Sequence, residues 1–358
     1  MTLISFTANY GRPILIGDLL TTSDAPRPAA QIPAFLSNID DSLPDNASYP
    51  FELKQKIYVI KDTIALGLAG NVYQMTDFLK DIKGFFNYHE STEANLKKFM
   101  ADYDKNAIDD CCILVFIVEY LGEEFHPSVH THGNWEQYED SLVQLGLITG
   151  SGKNAFFEKL ALVNAGDRDE DKARTINLSL LSMFIAEERY TMDSIVEAWG
   201  AGFEVIEYSG GKFKKMDDHT FVICHSKLNE TGTAIINEPF LIMHYTYHGE
   251  VLTINTYLAS EFRRYGVLPL DIKRENIDQF DIPEYKGFRS SNVLCTFVIE
   301  KEDGGFFFTT VLTNGDNEEN SILVKFEPPA PAYLEVHIDE SITEMIYKGY
   351  RESYPIQD

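Results

Sequence analysis

Threonine stands at position 2, directly after Met1. A threonine hydroxyl is a weak nucleophile until a base takes its proton, and a terminal threonine brings that base with it as its own α-amine. With an ordinary pKa of about 7.7–8.0, the amine takes the proton directly or through one water near neutral pH. The chemistry asks for a second residue small enough for methionine removal and a first strand that delivers the new terminus into a cleft. It also asks for a carboxylate and an ammonium beside that terminus. Met1-Thr2 meets the first condition. Many unrelated chains begin the same way, so the residues that follow must decide.

Two other groups invite chemistry and are set aside. Gly150-Ser151-Gly152-Lys153 suggests a phosphate loop, but five residues separate Gly146 from Gly152, and Asn154 stands where Ser or Thr is required. His126, His130 and His132 have a spacing that puts the last pair on one face of a strand, where a metal site is conceivable, but partly exposed sheet histidines that bind none are more common. They read as ordinary sheet histidines. Neither a metal nor a cofactor is expected.

Composition narrows the partners. A net charge of −26 and no Lys/Arg cluster exclude nucleic acid and anionic membrane surfaces as expected partners. No run approaches the roughly 18 apolar residues of a membrane span, and the start lacks the basic, apolar pattern of a signal peptide. Cys111, Cys112, Cys224 and Cys295 have neither zinc nor disulfide-framework spacing. A reducing, cytoplasmic setting is the expectation.

The elements that must position Thr2 are legible in outline. Residues 2–9 and 13–18 read as a hairpin turning at Tyr10-Gly11-Arg12, and 56–70 as a second one turning at Lys61-Asp62. Helical spacing appears over 71–88, 93–103, 154–163 and 174–189, and Cys111–Tyr120 reads as a buried strand. The Pro-rich stretch Ser23–Glu52 reads as a long surface loop. Residues 200–218 read as strand, turn and strand around Ser209-Gly210-Gly211. After about His219 strand-like runs dominate, closing with a helix over 340–351.

Against that outline, the opening T-L-I-S-F, Gly17-Asp18 and Thr22 resembles the proteasome β-subunit family, including the bacterial peptidase that partners an ATP-dependent unfoldase. Asp18 follows Thr2 by sixteen residues and Thr22 follows four later, as in that family. Lys56 opens a strand fourteen residues before Gly70, again as there. Gly150-Ser151-Gly152 precedes a helix in the family's manner. Glu197-Ala198-Trp199-Gly200-Ala201-Gly202 stands for its Asp-x-x-Ser-Gly-Gly, with Glu for Asp and Gly for Ser, and Leu20 replaces a common arginine.

The resemblance implies an α+β fold over residues 1–225, a four-layer αββα sandwich of the N-terminal-nucleophile (Ntn) hydrolase type. Residues 23–52 would be an inserted loop and 226–358 a β-rich C-terminal extension. It implies Thr2 as nucleophile, Lys56 as the ammonium beside it, and Asp18 as the carboxylate that holds Lys56. Ser151 and Glu197 would support the hydrogen-bond network. The Gly70 N–H would face the oxyanion, and Thr22 with Gly70 would pair an extended substrate. The implied activity is a threonine-type peptidase or amide hydrolase acting on a peptide or amide, assembled as a homo-oligomer such as a ring. The alternative is an inactive structural or binding subunit, favoured by the changes at positions 20, 197 and 200.

Overall fold

The computed structural model describes residues 2–9, 12–23, 30–35, 48–121, 124–140, 142–163, 172–228, 234–258, 261–289, 292–300, 306–314, 322–327, 333–338 and scattered positions of 343–350. β1 (Leu3–Asn9) and β2 (Arg12–Asp18) pair antiparallel, as their alternating β-branched residues predict. A short β3 (Leu20–Ser23) pairs with β4 (Tyr49–Gln55), so both ends of the expected loop are strand; the stretches 24–29 and 36–47 lie outside the described residues. β5 (Ile57–Lys61) and β6 (Ile64–Gly70) form the second hairpin.

α1 (Val72–Tyr88) begins where the Asn71 side chain accepts hydrogen bonds from the amides of Tyr73 and Gln74. Its buried stripe is Met75, Phe78, Leu79, Ile82 and Phe86, the spacing of one helix face. α2 (Glu93–Asp102) is capped in the same way by Thr92. Then follow β7 (Cys111–Leu121), β8 (Glu124–His132), β9 (Glu136–Tyr138), β10 (Leu145–Gly150) and α3 (Lys153–Leu160). α4 (Lys172–Tyr190), α5 (Asp193–Val196), β11 (Phe203–Ser209) and β12 (Lys212–Lys215) come next.

The remaining elements are β13 (His219–Leu228), β14 (Ala234–His248), β15 (Val251–Leu258), β16 (Glu261–Pro269), β17 (Phe288–Arg289), β18 (Asn292–Glu300), β19 (Phe306–Asn314), β20 (Ile322–Glu327) and β21 (Tyr333–Ile338). β15 and β16, which the sequence reading does not separate, carry polar residues on both faces. Of the helix expected over 340–351, the described positions 343–344, 346–348 and 350 are helical, and the others lie outside the described residues.

Four sheets result. β12-β11-β2-β1-β10-β9 is antiparallel, as is β5-β6-β7-β8, and the two pack face to face through Ile4, Phe6, Leu15, Ile57, Leu114 and Phe116. α1 and α2 cover the far side of the four-stranded sheet, and α3 and α4 that of the six-stranded one. The largest sheet, β19-β18-β13-β14-β15-β16-β4-β3, joins the C-terminal strands to the N-terminal pair β3–β4. β17-β20-β21 forms the small fourth sheet.

This corrects the expected four-layer αββα sandwich with an appended extension. The structure is mostly strand, 49 % against 28 % helix, and its helices do not make two outer layers. α4 lies between two sheets: Asn177 Nδ2 donates to Thr7 Oγ1 of β1 at 3.0 Å, while the Ser182 hydroxyl bonds Thr296 of β18 on the opposite side. Residue 225, the expected boundary, sits inside β13, whose Phe221 and Ile223 share one core with Ile14, Ile16 and Phe184. The physical reason lies in α4 itself. It is apolar around most of its circumference, so a single sheet leaves a face that only a second one can bury.

Phe184 packs among Phe156, Trp199 and Phe203. Phe184→Ala is expected to cost about 3–5 kcal/mol, read as a lower urea midpoint for the whole chain. Loss of signal from only part of the structure would show that the two sheets on α4 unfold separately.

Candidate functional site

The β1–β2 register sets Ile4 opposite Gly17, so Thr2 and Asp18 leave the six-stranded sheet side by side. Asp18 ends β2 one residue before the chain crosses, at Leu19, into β3 of the eight-stranded sheet. Lys56 is the single residue between β4 and β5, where the chain crosses from the eight-stranded sheet to the four-stranded one. Three sheets therefore meet at Thr2, Asp18 and Lys56.

Their contacts are direct. Lys56 Nζ donates to Thr2 Oγ1 at 2.6 Å and to Asp18 Oδ1 at 2.8 Å, and its third bond goes to the Leu20 carbonyl. The Thr2 hydroxyl donates to Asp18 Oδ1, which also accepts the Leu3 amide at 2.9 Å. The three side chains are almost wholly buried, with exposures of 2 % for Thr2, 0 % for Asp18 and 1 % for Lys56. Burial pushes the Lys56 ammonium below its ordinary range, partly offset by the charges of Asp18 and Glu204. An ammonium of weakened basicity touching a threonine hydroxyl lowers the cost of an alkoxide there.

The backbone of Lys56 is fixed as well. Its N–H donates to Glu204 Oε2 at 3.2 Å, and its carbonyl accepts from Leu68. Glu204 is itself clamped by Lys215 Nζ at 2.6 Å and the Tyr247 hydroxyl at 2.7 Å. On the far side of this clamp lies a cavity of about 350 Å³ lined by Tyr58, Lys83, Phe213, Lys215 and Tyr247. Thr2, Asp18 and Lys56 do not line it.

The loop 197–202, between α5 and β11, closes the cluster with unusual backbone. Ala198 and Ala201 have φ of 63° and 60°, a region costly for residues with a Cβ, while Gly200 and Gly202 take 99° and 101°. The conformation aims two amides at two buried carboxylates: Gly200 N–H donates to Asp18 Oδ2 at 3.0 Å and Ala201 N–H to Glu188 Oε2 at 2.9 Å. Glu188, on α4, is buried and raised to about 8, chiefly by desolvation and further by the Asp18 charge, with the Ala201 amide opposing. A Cβ at Gly200 would lie 2.5 Å from Glu188 Oε2, so the serine of the family pattern has no room here.

The expected site residues divide accordingly. Thr2, Asp18 and Lys56 come together. Gly150 stands opposite Leu3, and a Cβ on it would lie 1.8 Å from the Thr2 carbonyl, which places the Gly150-Ser151-Gly152 turn against Thr2. Ser151 Oγ is buried there with no hydrogen-bond partner among the described residues. Glu197 is a correction: it is exposed, and its carboxylate accepts from Trp199 Nε1 at 3.1 Å instead of reaching the cluster. The loop geometry explains this, since it presents backbone amides to Asp18 and turns the Glu197 side chain outward.

Thr22 lies on β3, paired through one edge with Pro50. Gly70 ends β6 opposite Cys111 with φ 118°, and among the described residues it makes no hydrogen bond to the cluster. His130 and His132 are occupied by Glu93 at 3.4 Å and the Ile108 carbonyl at 3.0 Å. No group of three His, Cys, Asp or Glu among the described residues could hold a metal ion, and no helix there is long and apolar enough to cross a membrane. Glu188 and Glu204 were not anticipated. Each carries a charge inside an apolar stretch, at SMFIAEERY and FEVIEY, and that local misfit is the signal that could have marked them.

No protein-family model matches the chain, and no curated protein matches its sequence. The site stands on its own geometry.

Two measurements check the electrostatics. Lys56→Met leaves the Asp18 carboxylate buried without its cation and is expected to cost about 3–5 kcal/mol, read by urea unfolding. For Glu188, the folded value of about 8 lies above the ordinary 4.5. The folded chain then holds a proton that the unfolded chain releases, so this stabilisation is complete below the unfolded value and lost as pH rises through the folded one. The wild-type midpoint should therefore fall across that window, and Glu188→Gln should flatten the fall. An equally steep decline in the Gln variant would assign it to another group.

Proposed function

We propose that the chain is a threonine-type amide hydrolase in which Thr2, freed of Met1, is the nucleophile. The observation that carries this reading is the contact of Lys56 Nζ with both Thr2 Oγ1, at 2.6 Å, and Asp18 Oδ1, at 2.8 Å, inside the protein. Holding an ammonium and a carboxylate out of water is costly, and apolar residues of similar volume often stabilise a fold as well or better, so packing alone does not call for the pair. Their placement on a residue whose hydroxyl and freed amine supply nucleophile and base gives the pair a use.

The steps follow. The Thr2 α-amine takes the hydroxyl proton as Oγ bonds to the carbonyl carbon of a peptide or amide. Lys56 stabilises the charge on Oγ, and Asp18 holds Lys56 in place. The resulting ammonium returns its proton to the leaving nitrogen as the C–N bond breaks. Water then cleaves the ester left on Thr2. Lowering the amine's proton affinity is a further effect of Lys56, whose charge lies beside it.

β3 supports the substrate class. It is the last strand of the eight-stranded sheet, with β4 on one edge, and its other edge carries the backbone of Thr21 and Thr22. An extended peptide adds to such an edge as one more strand. The family resemblance brings a homo-oligomer with the reading, and the sequence a cytoplasmic setting; sedimentation of the full chain measures the assembly.

A second reading, an inactive structural or binding subunit, is favoured by one observation: Thr2 is 2 % exposed, so a substrate must first open the site. Intact mass and N-terminal mapping before and after a peptide epoxyketone separate the two. Loss of Met1 with an adduct on Thr2, absent in Thr2→Ala of unchanged fold, is the expected result. A retained Met1 leaves Thr2 without its base and favours the inactive subunit. Hydrolysis that persists in Thr2→Ala would remove Thr2 from the chemistry.

A further inference from the structure

The eight-stranded sheet carries a second polar feature, remote from Thr2 in sequence and on the face turned away from α4. Register aligns Thr220 on β13, His244 on β14, Asn255 on β15 and Arg264 on β16 in one row across four strands. Residues directly opposite in neighbouring strands project to the same face. The alternating row Tyr245, Ile254 and Tyr265 packs into the core that contains α4, so the polar row faces the other way.

That outer row is covered. Arg264 Nη1 donates to the Pro283 carbonyl at 2.7 Å. Tyr285, from the same segment, stacks on Phe262 with ring centroids 5.1 Å apart and planes at 9°, and its ring lies 6.2 Å from His244. Under this cover Asn255 is 3 % exposed and Thr220 0 % exposed. Among the described residues, neither the amide nitrogen nor the amide oxygen of Asn255 has a partner, nor does Thr220 Oγ1, nor Arg264 Nε.

Buried polar atoms in folded proteins are almost always hydrogen-bonded, and several unmet ones in one row ask for a common partner. Donors dominate the set: a guanidinium N–H, an amide NH₂ and a hydroxyl. Among the described residues Arg264 has no acidic partner, and the carboxylate beside the row, Asp218, sits 3.0 Å from His244 Nε2. Water would satisfy the donors, and the half-buried positive charge of Arg264 favours an anion in its place. A planar anion with two oxygens answers both needs, one oxygen toward Arg264 Nε and the other toward the Asn255 amide.

We propose that the neighbouring pair Asn255–Arg264, roofed by residues 281–287, is a binding site for a small carboxylate. It is independent of Thr2 and of the hydrolase reading. The probe is sodium acetate against sodium chloride at equal ionic strength, with thermal unfolding of the full chain as readout. Acetate is expected to raise Tm by about 2 °C or more over chloride once it exceeds its Kd several-fold, and Asn255→Leu should abolish the rise. Because leucine can disturb a buried row, Arg264→Lys is the second variant. Losing the Nε hydrogen bond while the positive charge stays should raise the acetate midpoint about fivefold. No acetate-specific shift, or one of full size in both variants, overturns the proposal and leaves the row to ordered water.

Discussion

The ion pair between Lys56 and Asp18 is the constraint around which the rest is arranged. Neither charge has water to solvate it, so each must find its full set of partners inside the protein. Lys56 spends its three N–H groups on Thr2, Asp18 and Leu20, and Asp18 takes bonds from Thr2, Leu3, Lys56 and Gly200. Those partners come from β1, β2, β3 and the loop before β11. Satisfying one buried pair thus ties together the crossings between three sheets, and a shift of any of them would expose an unmet charge.

The strained loop at 197–202 is part of that settlement. Two alanines at positive φ are unfavourable by themselves, on the order of 1–3 kcal/mol each. They persist because the loop delivers successive amides to Asp18 and Glu188, both inside the core. Glu188 keeps its proton near neutrality under desolvation and the field of Asp18. A neutral acid at that point avoids placing a second negative charge beside the pair. The loop and the helix α4 therefore set the charge state of the cluster without touching Thr2.

The eight-stranded sheet shows the same economy on its two faces. Its inner face buries α4 and completes the core, while its outer face holds a row of polar groups whose bonds the described residues do not supply. β15 and β16 belong to both, and their mixed composition follows: Ile254 and Tyr265 point inward, Asn255 and Arg264 outward.

Much of this was written in local sequence. Alternation and turn residues mark β1, β2, β5 and β6; the stripe Met75, Phe78, Leu79, Ile82, Phe86 marks α1; and the separations among Thr2, Asp18 and Lys56 mark three residues that do meet. These depend on periodicity and on short chain segments, which a sequence states directly. The layering was not legible. A helix apolar on most sides announces that it will be buried, but the strands that cover it lie a hundred or more residues away, and strand pairing carries no local signature of its partner. The outward turn of Glu197, the entry of Glu188 and Glu204, and the pairing of β3–β4 with the C-terminal strands were decided only when long-range packing chose which faces meet. The sequence by itself determined the chemistry available at Thr2. The tertiary structure decided which charges surround it, because burial and field depend on neighbours that only folding brings near.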